Sequence, residues 1–346
     1  MKKKIFILGI GSLTGHKIAL QCKNDFDISG SYNLRNPELD FVTSYKLDIL
    51  NSKNLENLLI ECNPDYIINS CALNNVDYCE SHPEEANNVN SKFVENLSKI
   101  SESINSKLIH LSSDSVFDGN KQTSYSETDV PNPINIYGNS KLLGENFALT
   151  NPNNLVIRAS VLYGWLPPNL SNKSSSSMKP LNFVFWLINK LNSNEEVNII
   201  EDEISSPIIV DDFTNSIMHL LKGDYSGIYH SAPNVCINRY EFSKKIAENL
   251  ELDSSLIKPT SNKELGRNVK TGINKCLDSN KIQTLTKLIK KNGKSDFFWI
   301  NSSYLNSKYL EKFRYPFDTK NLPKKMQTHS PQKKNRRLNK KIIHNL

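Results

Sequence analysis

The sequence runs to 346 residues, 38% of them hydrophobic, with a mean hydropathy of −0.48, a size that suits one large α/β unit with an added lobe. Its net charge of +7 is unevenly spread: residues 283–346 carry 16 Lys and Arg against three Asp and Glu, whereas the remainder holds 27 basic and 33 acidic side chains. A mildly acidic body excludes nucleic-acid binding through that body, and the lack of any apolar run near ~18 residues excludes a membrane-spanning helix.

In chain order, β-rich apolar runs at Ile5–Leu8, Asp27–Tyr32, Tyr45–Leu47, Tyr66–Asn69, Leu108–Ser112 and Leu155–Ala159 predict strands. Between them His16–Cys22, Leu55–Cys62, Glu84–Ile104 and Tyr137–Leu149 predict helices. Nearly continuous apolar strands alternating with helices predict an α/β fold, a Rossmann-type doubly wound parallel sheet buried on both faces. The rhythm changes at Trp165, where WLPPNLSNKSSSSMKP reads as a loop. Helices over Asn182–Leu191, Asp211–Lys222 and Arg239–Leu250, with strands at Pro207–Val210 and Ile228–His230, then predict a smaller C-terminal lobe that partly returns to the main sheet. The expected division is 1–165 for a dinucleotide-binding domain, 166–290 for a substrate-binding lobe, and 291–346 for a basic, disordered tail. Six cysteines (22, 62, 71, 79, 236 and 276) include no CxxC pair and no histidine at metal-ligand spacing. They read as reduced thiols in a cytoplasmic protein without a metal site. The start MKKKIFILGIGSLTG lacks the cleavage site that a signal peptide needs.

Gly9-Ile10-Gly11-Ser12-Leu13-Thr14-Gly15 follows the first strand and opens a helix. In that setting glycines let the backbone approach a pyrophosphate, and the helix N-terminus supplies amides and a positive dipole. The second strand ends Gly30-Ser31-Tyr32-Asn33-Leu34-Arg35, without the acid that bonds the ribose of NAD. Arg35 instead suits a 2′-phosphate, so NADPH is expected over NADH. Asp48 and Ile49, past the third strand, are candidates to flank the adenine.

Tyr137 and Lys141 stand four apart on one helix face, 24 positions after Ser113 in LSSDSVFDG. A cation near a phenol favours phenolate and brings the tyrosine towards the range useful for proton transfer. A hydroxyl at a strand end can hold the oxygen that receives the proton. Together these parts predict a ketone-reducing site.

Six ordered segments carry a family resemblance: Asn69–Asn90, Leu111–Gly119, Pro131–Glu145, Val156–Gly164, Gly227–Ala232 and Leu277–Ile282. Over residues 4–285 the chain resembles the extended short-chain dehydrogenases, and among them the dTDP-4-dehydrorhamnose reductase family. The resemblance implies NADPH-dependent reduction of a nucleotide-linked 4-keto sugar, foremost dTDP-4-dehydro-L-rhamnose. It makes Tyr137 the proton donor and Lys141 the holder of the nicotinamide ribose. Ser113 becomes the hydrogen-bond donor to the keto oxygen, with Asp114 beside the sugar. It also implies diphosphate contacts by Ser12, Leu13 and Thr14, a cofactor lining of Cys71, Ala72 and Asn74, and a backbone brace at Asn90. A homodimer is a further expectation for the chain, and some relatives in the family use magnesium between subunits. The chain departs from the family pattern at Ser12, where a glycine is common, at Ser115, a common tyrosine, and at Val161, where many relatives set a tryptophan against the substrate.

Other residues carry plainer expectations. His110 reads as a satisfied core histidine; Asp77, Glu80, Glu84 and Glu85 as a solvated helix entry; Asp211 and Asp212 as a helix N-cap; and Phe183, Phe185 and Trp186 as packing. Two alternatives stand beside the reductase: a nucleotide-sugar epimerase or dehydratase with retained cofactor, and a noncatalytic NADP-binding subunit resembling that of methionine adenosyltransferase.

Overall fold

The computed structural model describes residues 2–167, 170, 183–267 and 269–286. The expected loop over 165–180 lies mostly outside these residues, and the basic tail lies wholly outside them.

The first half builds β1 (Lys4–Leu8), α1 (Leu13–Cys22), β2 (Asp27–Tyr32), β3 (Thr43–Lys46), α2 (Ser52–Cys62) and β4 (Tyr66–Asn69). There follow α3 (Val76–Ser81), α4 (Pro83–Asn87), a π-helical turn (Asn88–Lys92), α5 (Phe93–Ser103), β5 (Lys107–Ser113), α6 (Ile136–Ala148), β6 (Leu155–Ala159) and β7 (Leu162–Tyr163). The second half adds α7 (Phe183–Asn192), β8 (Val197–Ile200), β9 (Ile204–Ser205), β10 (Ile208–Ile209) and α8 (Val210–Lys222). It ends with β11 (Gly227–Ser231), β12 (Ile237–Asn238), α9 (Arg239–Asn249), β13 (Ile257–Thr260), β14 (Asn274–Lys275) and α10 (Asn280–Thr286).

Seven strands form one parallel sheet in the order β11-β6-β5-β4-β1-β2-β3. Strand direction of connection reverses between β1 and β4, the switch point at which doubly wound sheets open a crevice. Because side chains alternate across a strand, Ile5 and Ile7 join Ile68, Ile109 and Ile157 on one face, packed with α1 and α8. Phe6 and Leu8 join Ile67, Leu108 and Val156 on the other, packed with α2 and α5. The Rossmann-type doubly wound sheet is therefore as the strand pattern requires, and β11 carries the later sequence back to its edge.

Three details differ from the sequence expectations. The single helix over 84–104 starts earlier and is broken: His82 leaves the helical region before Pro83, as a residue preceding proline tends to, and the π turn widens the backbone at Asn88–Lys92. Asp211 and Asp212 lie inside the first turn of α8, whose N-cap is Ile209, so neither is the cap. Asp211 instead pairs with Lys17 of α1. Finally, Cys236 and Cys276 are joined as a disulfide with 5.7 Å between Cα atoms, which corrects the expectation of six reduced thiols. Both β12 and β14 pair with β9, and that shared neighbour brings the two cysteines together. Cys22, Cys62, Cys71 and Cys79 are free.

Candidate active site

A cleft of about 310 Å³ opens at the switch point, a volume in the range of small-molecule sites. Gly9, Gly11 and Ser12 line it from the first turn, Arg35 from the end of β2, Asp48 and Ile49 from beyond β3, and Cys71, Ala72 and Asn74 from beyond β4. These nine were all expected cofactor residues. Gly9 has φ +80, and a Cβ on Gly11 would fall 2.0 Å from the Arg35 carbonyl oxygen, so the turn passes the Arg35 backbone too closely for any side chain. Gly11→Ala is expected to weaken dinucleotide binding about tenfold or more by fluorescence titration, with a lowered Tm, because the Arg35 strand end must shift.

Ser12 caps α1: its Oγ accepts from the Gly15 amide at 3.0 Å. The amides of Leu13 and Thr14 stand at that helix start, where no intrahelical acceptor can reach them. Leu13, Thr14 and Gly15 belong to the helix opening rather than to the cleft lining. Burial pulls the Arg35 guanidinium below its ordinary pKa.

The second group gathers where β5 ends against α6. Asn135 caps α6 through a 2.8 Å bond from the Gly138 amide, which fixes the helix and with it Tyr137 and Lys141. Ser113 Oγ donates to Asp114 Oδ1 at 2.9 Å, so hydroxyl and carboxylate are joined at the end of β5. Burial pushes the Tyr137 phenol up, with Ser113 acting against that rise. Lys141 does not lower it in this state, contrary to the sequence expectation. Its ammonium turns away, donating to the Leu111 carbonyl at 2.7 Å and lying 3.3 Å from His110 Nε2. Burial brings Lys141 down to about 8, against the opposing pull of Glu145 and Cys71.

Asp114 is buried, and its other oxygen accepts from Ser160 Oγ at 2.8 Å. Val161 follows directly, its carbonyl held by the Ile208 amide at 2.9 Å. Asn90 is a brace: its carboxamide bonds the Leu73 amide at 2.8 Å and carbonyl at 3.0 Å, and also reaches Ser140 of α6. The π turn that carries Asn90 thereby ties the cleft wall to the Tyr137 helix.

Comparison with known proteins decides the family. A family model described as the RmlD substrate binding domain matches residues 3–296. The chain belongs to that family. It is similar to the probable low-salt glycan biosynthesis reductase Agl14 of Haloferax volcanii, 29% identical over 80% of this chain and 90% of the relative. It is also similar to methionine adenosyltransferase 2 subunit beta of Xenopus tropicalis, 30% identical over 76% of this chain and 77% of the relative. Among solved structures, the dTDP-4-dehydrorhamnose reductase of Bacillus anthracis, in complex with NADP, superposes with a TM-score of 0.71 at 26% identity, over 82% of this chain and 93% of that one. The chain is thus an NAD(P)-dependent oxidoreductase of the dTDP-4-dehydrorhamnose reductase family, a sugar-nucleotide reductase-like protein.

Within this RmlD-family chain the departures from the family pattern have local reasons. Ser12 stands at a common glycine position and serves as the α1 cap. Ser115, at a common tyrosine, donates its hydroxyl to Asp114 at 3.2 Å. Sequence reasoning missed Ser160, Glu203 and Arg239. Glu203 is buried and held near 2, where Lys275, Thr271 and Asn262 outweigh the upward effect of burial. Arg239 opens α9, stacks on Phe183 at 5.1 Å, and feels both Glu203 and Asp114. Nothing local marks these three; they converge only once β9 and α9 are placed. Phe183 and Trp186 pack against each other with 5.8 Å between centroids, and Phe185 is buried. Asp77 faces Arg267, Glu80 accepts from the Ile136 amide, and Glu85 accepts from Tyr78. Among the described residues no group of three or more His, Cys, Asp and Glu could hold a metal, and no helix is long and apolar enough to cross a membrane.

Proposed function

We propose that the protein reduces a nucleotide-linked 4-keto sugar with NADPH, foremost dTDP-4-dehydro-L-rhamnose to dTDP-L-rhamnose. The observation that carries this reading is the buried Tyr137 phenol on α6, packed with Leu73 of a switch-point cleft that holds a glycine turn, with Ser113 acting on it from the end of β5. The cleft residues fit a dinucleotide: the Gly11 approach leaves no room for a side chain, the α1 start offers amides to a diphosphate, and Arg35 offers a guanidinium fork to a 2′-phosphate. Asp48 and Ile49 border the adenine end, while Cys71, Ala72 and Asn74 form the wall. When bound, the dinucleotide supplies the hydride.

The chain's own residues do the rest. Tyr137 gives its proton to the oxygen of the reduced carbonyl, and Ser113 Oγ rotates from Asp114 to hold that oxygen. Lys141 swings from the Leu111 carbonyl to the ribose, where its ammonium favours phenolate at Tyr137. Asp114 anchors the Ser113 loop, and Val161 leaves more room against the sugar than an indole would.

The test is NADPH absorbance against a panel of nucleotide-4-keto-sugars, with oxidation expected for the dTDP-linked member; no oxidation across the panel removes the reading. Arg35→Ala is expected to lower kcat/KM with NADPH roughly 10–100-fold, from the ~1.5–3 kcal/mol of charge-assisted bonding it loses, and to leave NADH within a few-fold. The similarity to methionine adenosyltransferase 2 subunit beta favours a second reading, an NADP-binding subunit without turnover. A stoichiometric partner in a pull-down, together with a silent oxidation assay, selects it. Cofactor that survives dialysis points to the epimerase or dehydratase alternative.

A further inference from the structure

His110 lies in the middle of β5 with no exposed surface. Its Nδ1 is 3.1 Å from Asn69 Nδ2, the amide of a fully buried asparagine at the end of β4. The orientation of that carboxamide is set by the backbone, because Asn69 Oδ1 accepts from the Cys71 amide at 3.0 Å. A backbone N–H can only donate, so the oxygen faces Cys71 and the NH2 faces His110. His110 Nδ1 must then accept. Burial keeps the imidazole neutral, pulling it well below its ordinary pKa, with Lys141 adding to the effect. A neutral ring whose Nδ1 accepts carries its single proton on Nε2.

That proton points at Lys141, 3.3 Å away. Facing an ammonium it sets donor against donor. Facing an amine it donates to a lone pair. A hydrogen bond to the neutral form of a group disfavours its charged form. We infer that His110 is a positioning residue for Lys141: the Cys71–Asn69 pair fixes its Nε2–H tautomer, and that N–H bonds the Lys141 amine rather than its ammonium. The inference rests on the reading of Lys141 as the lysine of the proposed site.

The surroundings of Lys141 agree. The titratable groups around it are His110 on β5, Cys71 beyond β4, and Tyr137 and Glu145 on its own helix. Glu145 is already taken: both its oxygens are bonded by buried Arg158. Cys71 keeps its proton, pushed up to about 12 by burial. His110 is therefore the group in direct contact whose hydrogen can favour the amine. The second buried histidine near the site shows the opposite arrangement. His230 Nδ1 faces two carbonyls, Tyr125 and Asp278, each at 3.1 Å, so it donates there and leaves Nε2 to accept from Arg158. One chain thus holds two neutral imidazoles in opposite tautomers, each set by the partner of Nδ1.

The test needs no substrate in its first arm. Long-range 1H–15N correlation on the full chain with labelled histidine reads each tautomer. His110 is expected as Nε2–H and His230 as Nδ1–H, with His110 not titrating between pH 5 and 9; a His110 in the Nδ1–H form, or one that protonates in that range, overturns the inference. The second arm follows the Lys141 side chain by 13C NMR with Asn69→Asp, whose carboxylate accepts from Nδ1–H and so reverses the tautomer. The Lys141 titration is expected to rise by about one unit, a tenfold gain in proton affinity. Asn69→Ala, which adds no charge, is expected to shift it in the same direction by less. A tautomer reversed with the lysine titration unmoved sinks the proposal. Where the chain turns over keto sugar, the alkaline limb of kcat moves upward with the lysine and KM stays within a few-fold. Should the chain reduce no keto sugar at all, the reductase reading falls while both NMR arms still decide the role of His110, and the wild-type spectrum decides it even where a variant fails to fold.

Discussion

Tyr137→Phe is expected to lower kcat by roughly 10²–10⁴-fold, the span that one positioned proton donor supplies, while NADPH affinity by fluorescence titration stays within a few-fold. The loss is large because the phenol has no substitute. Tyr137 is buried at 9% exposure, so bulk water cannot replace it, and its neighbour Ser113 already spends its hydrogen on Asp114. Ser113→Ala is a smaller perturbation: it removes the hydroxyl proposed to hold the carbonyl oxygen and leaves the proton donor in place. A Tyr137→Phe enzyme with near-normal turnover would remove the phenol from the mechanism. A variant that loses both turnover and cofactor binding would instead indicate a packing role for the ring.

The parts of this site that could be read in the sequence are those built from local rules. The glycine turn between β1 and α1, the Tyr-Lys spacing on α6 and the strand-end Ser113 each lie within one strand, turn or helix, and the parallel sheet brings Ser113 and Tyr137 together. Hidden parts depend on register between strands. Asn69 and His110 are 41 residues apart and meet because β4 and β5 pair them directly; His110, read as a satisfied core residue, also lies 3.3 Å from Lys141, the lysine of the proposed site. The Lys141 ammonium could be placed beside Tyr137 by spacing, but it donates to the part-buried Leu111 carbonyl at 2.7 Å. The Cys236–Cys276 pair and the convergence of Glu203 and Arg239 depend on strands of two residues each, too short to leave a periodic signal.

Arg158→Met is expected to destabilise the protein by about 3–5 kcal/mol, the usual effect of removing one partner from a buried ion pair, and to lower Tm by roughly 10 °C at ~2–4 °C per kcal/mol for a chain of this size. Arg158 and Glu145 are each 1% exposed and form a two-pronged pair, with Nε to Oε1 at 2.9 Å and Nη2 to Oε2 at 2.6 Å. Arg158 also lies over Phe117 at 5.0 Å and donates to His230, so β6, β11 and α6 are joined through one guanidinium. Without it the Glu145 carboxylate is left in a site it cannot occupy charged. The double variant Arg158→Met, Glu145→Met removes both charges and is expected to recover a large part of the loss, since an uncompensated charge is costlier than an apolar pair of similar volume. The same carboxylate raises the proton affinity of Lys141 one turn earlier on α6. Glu145→Met alone should therefore move the alkaline limb of kcat downward, opposite to the Asn69→Asp shift, and thermal unfolding with pH profiles on the four-member cycle separates the structural effect from the effect on the lysine.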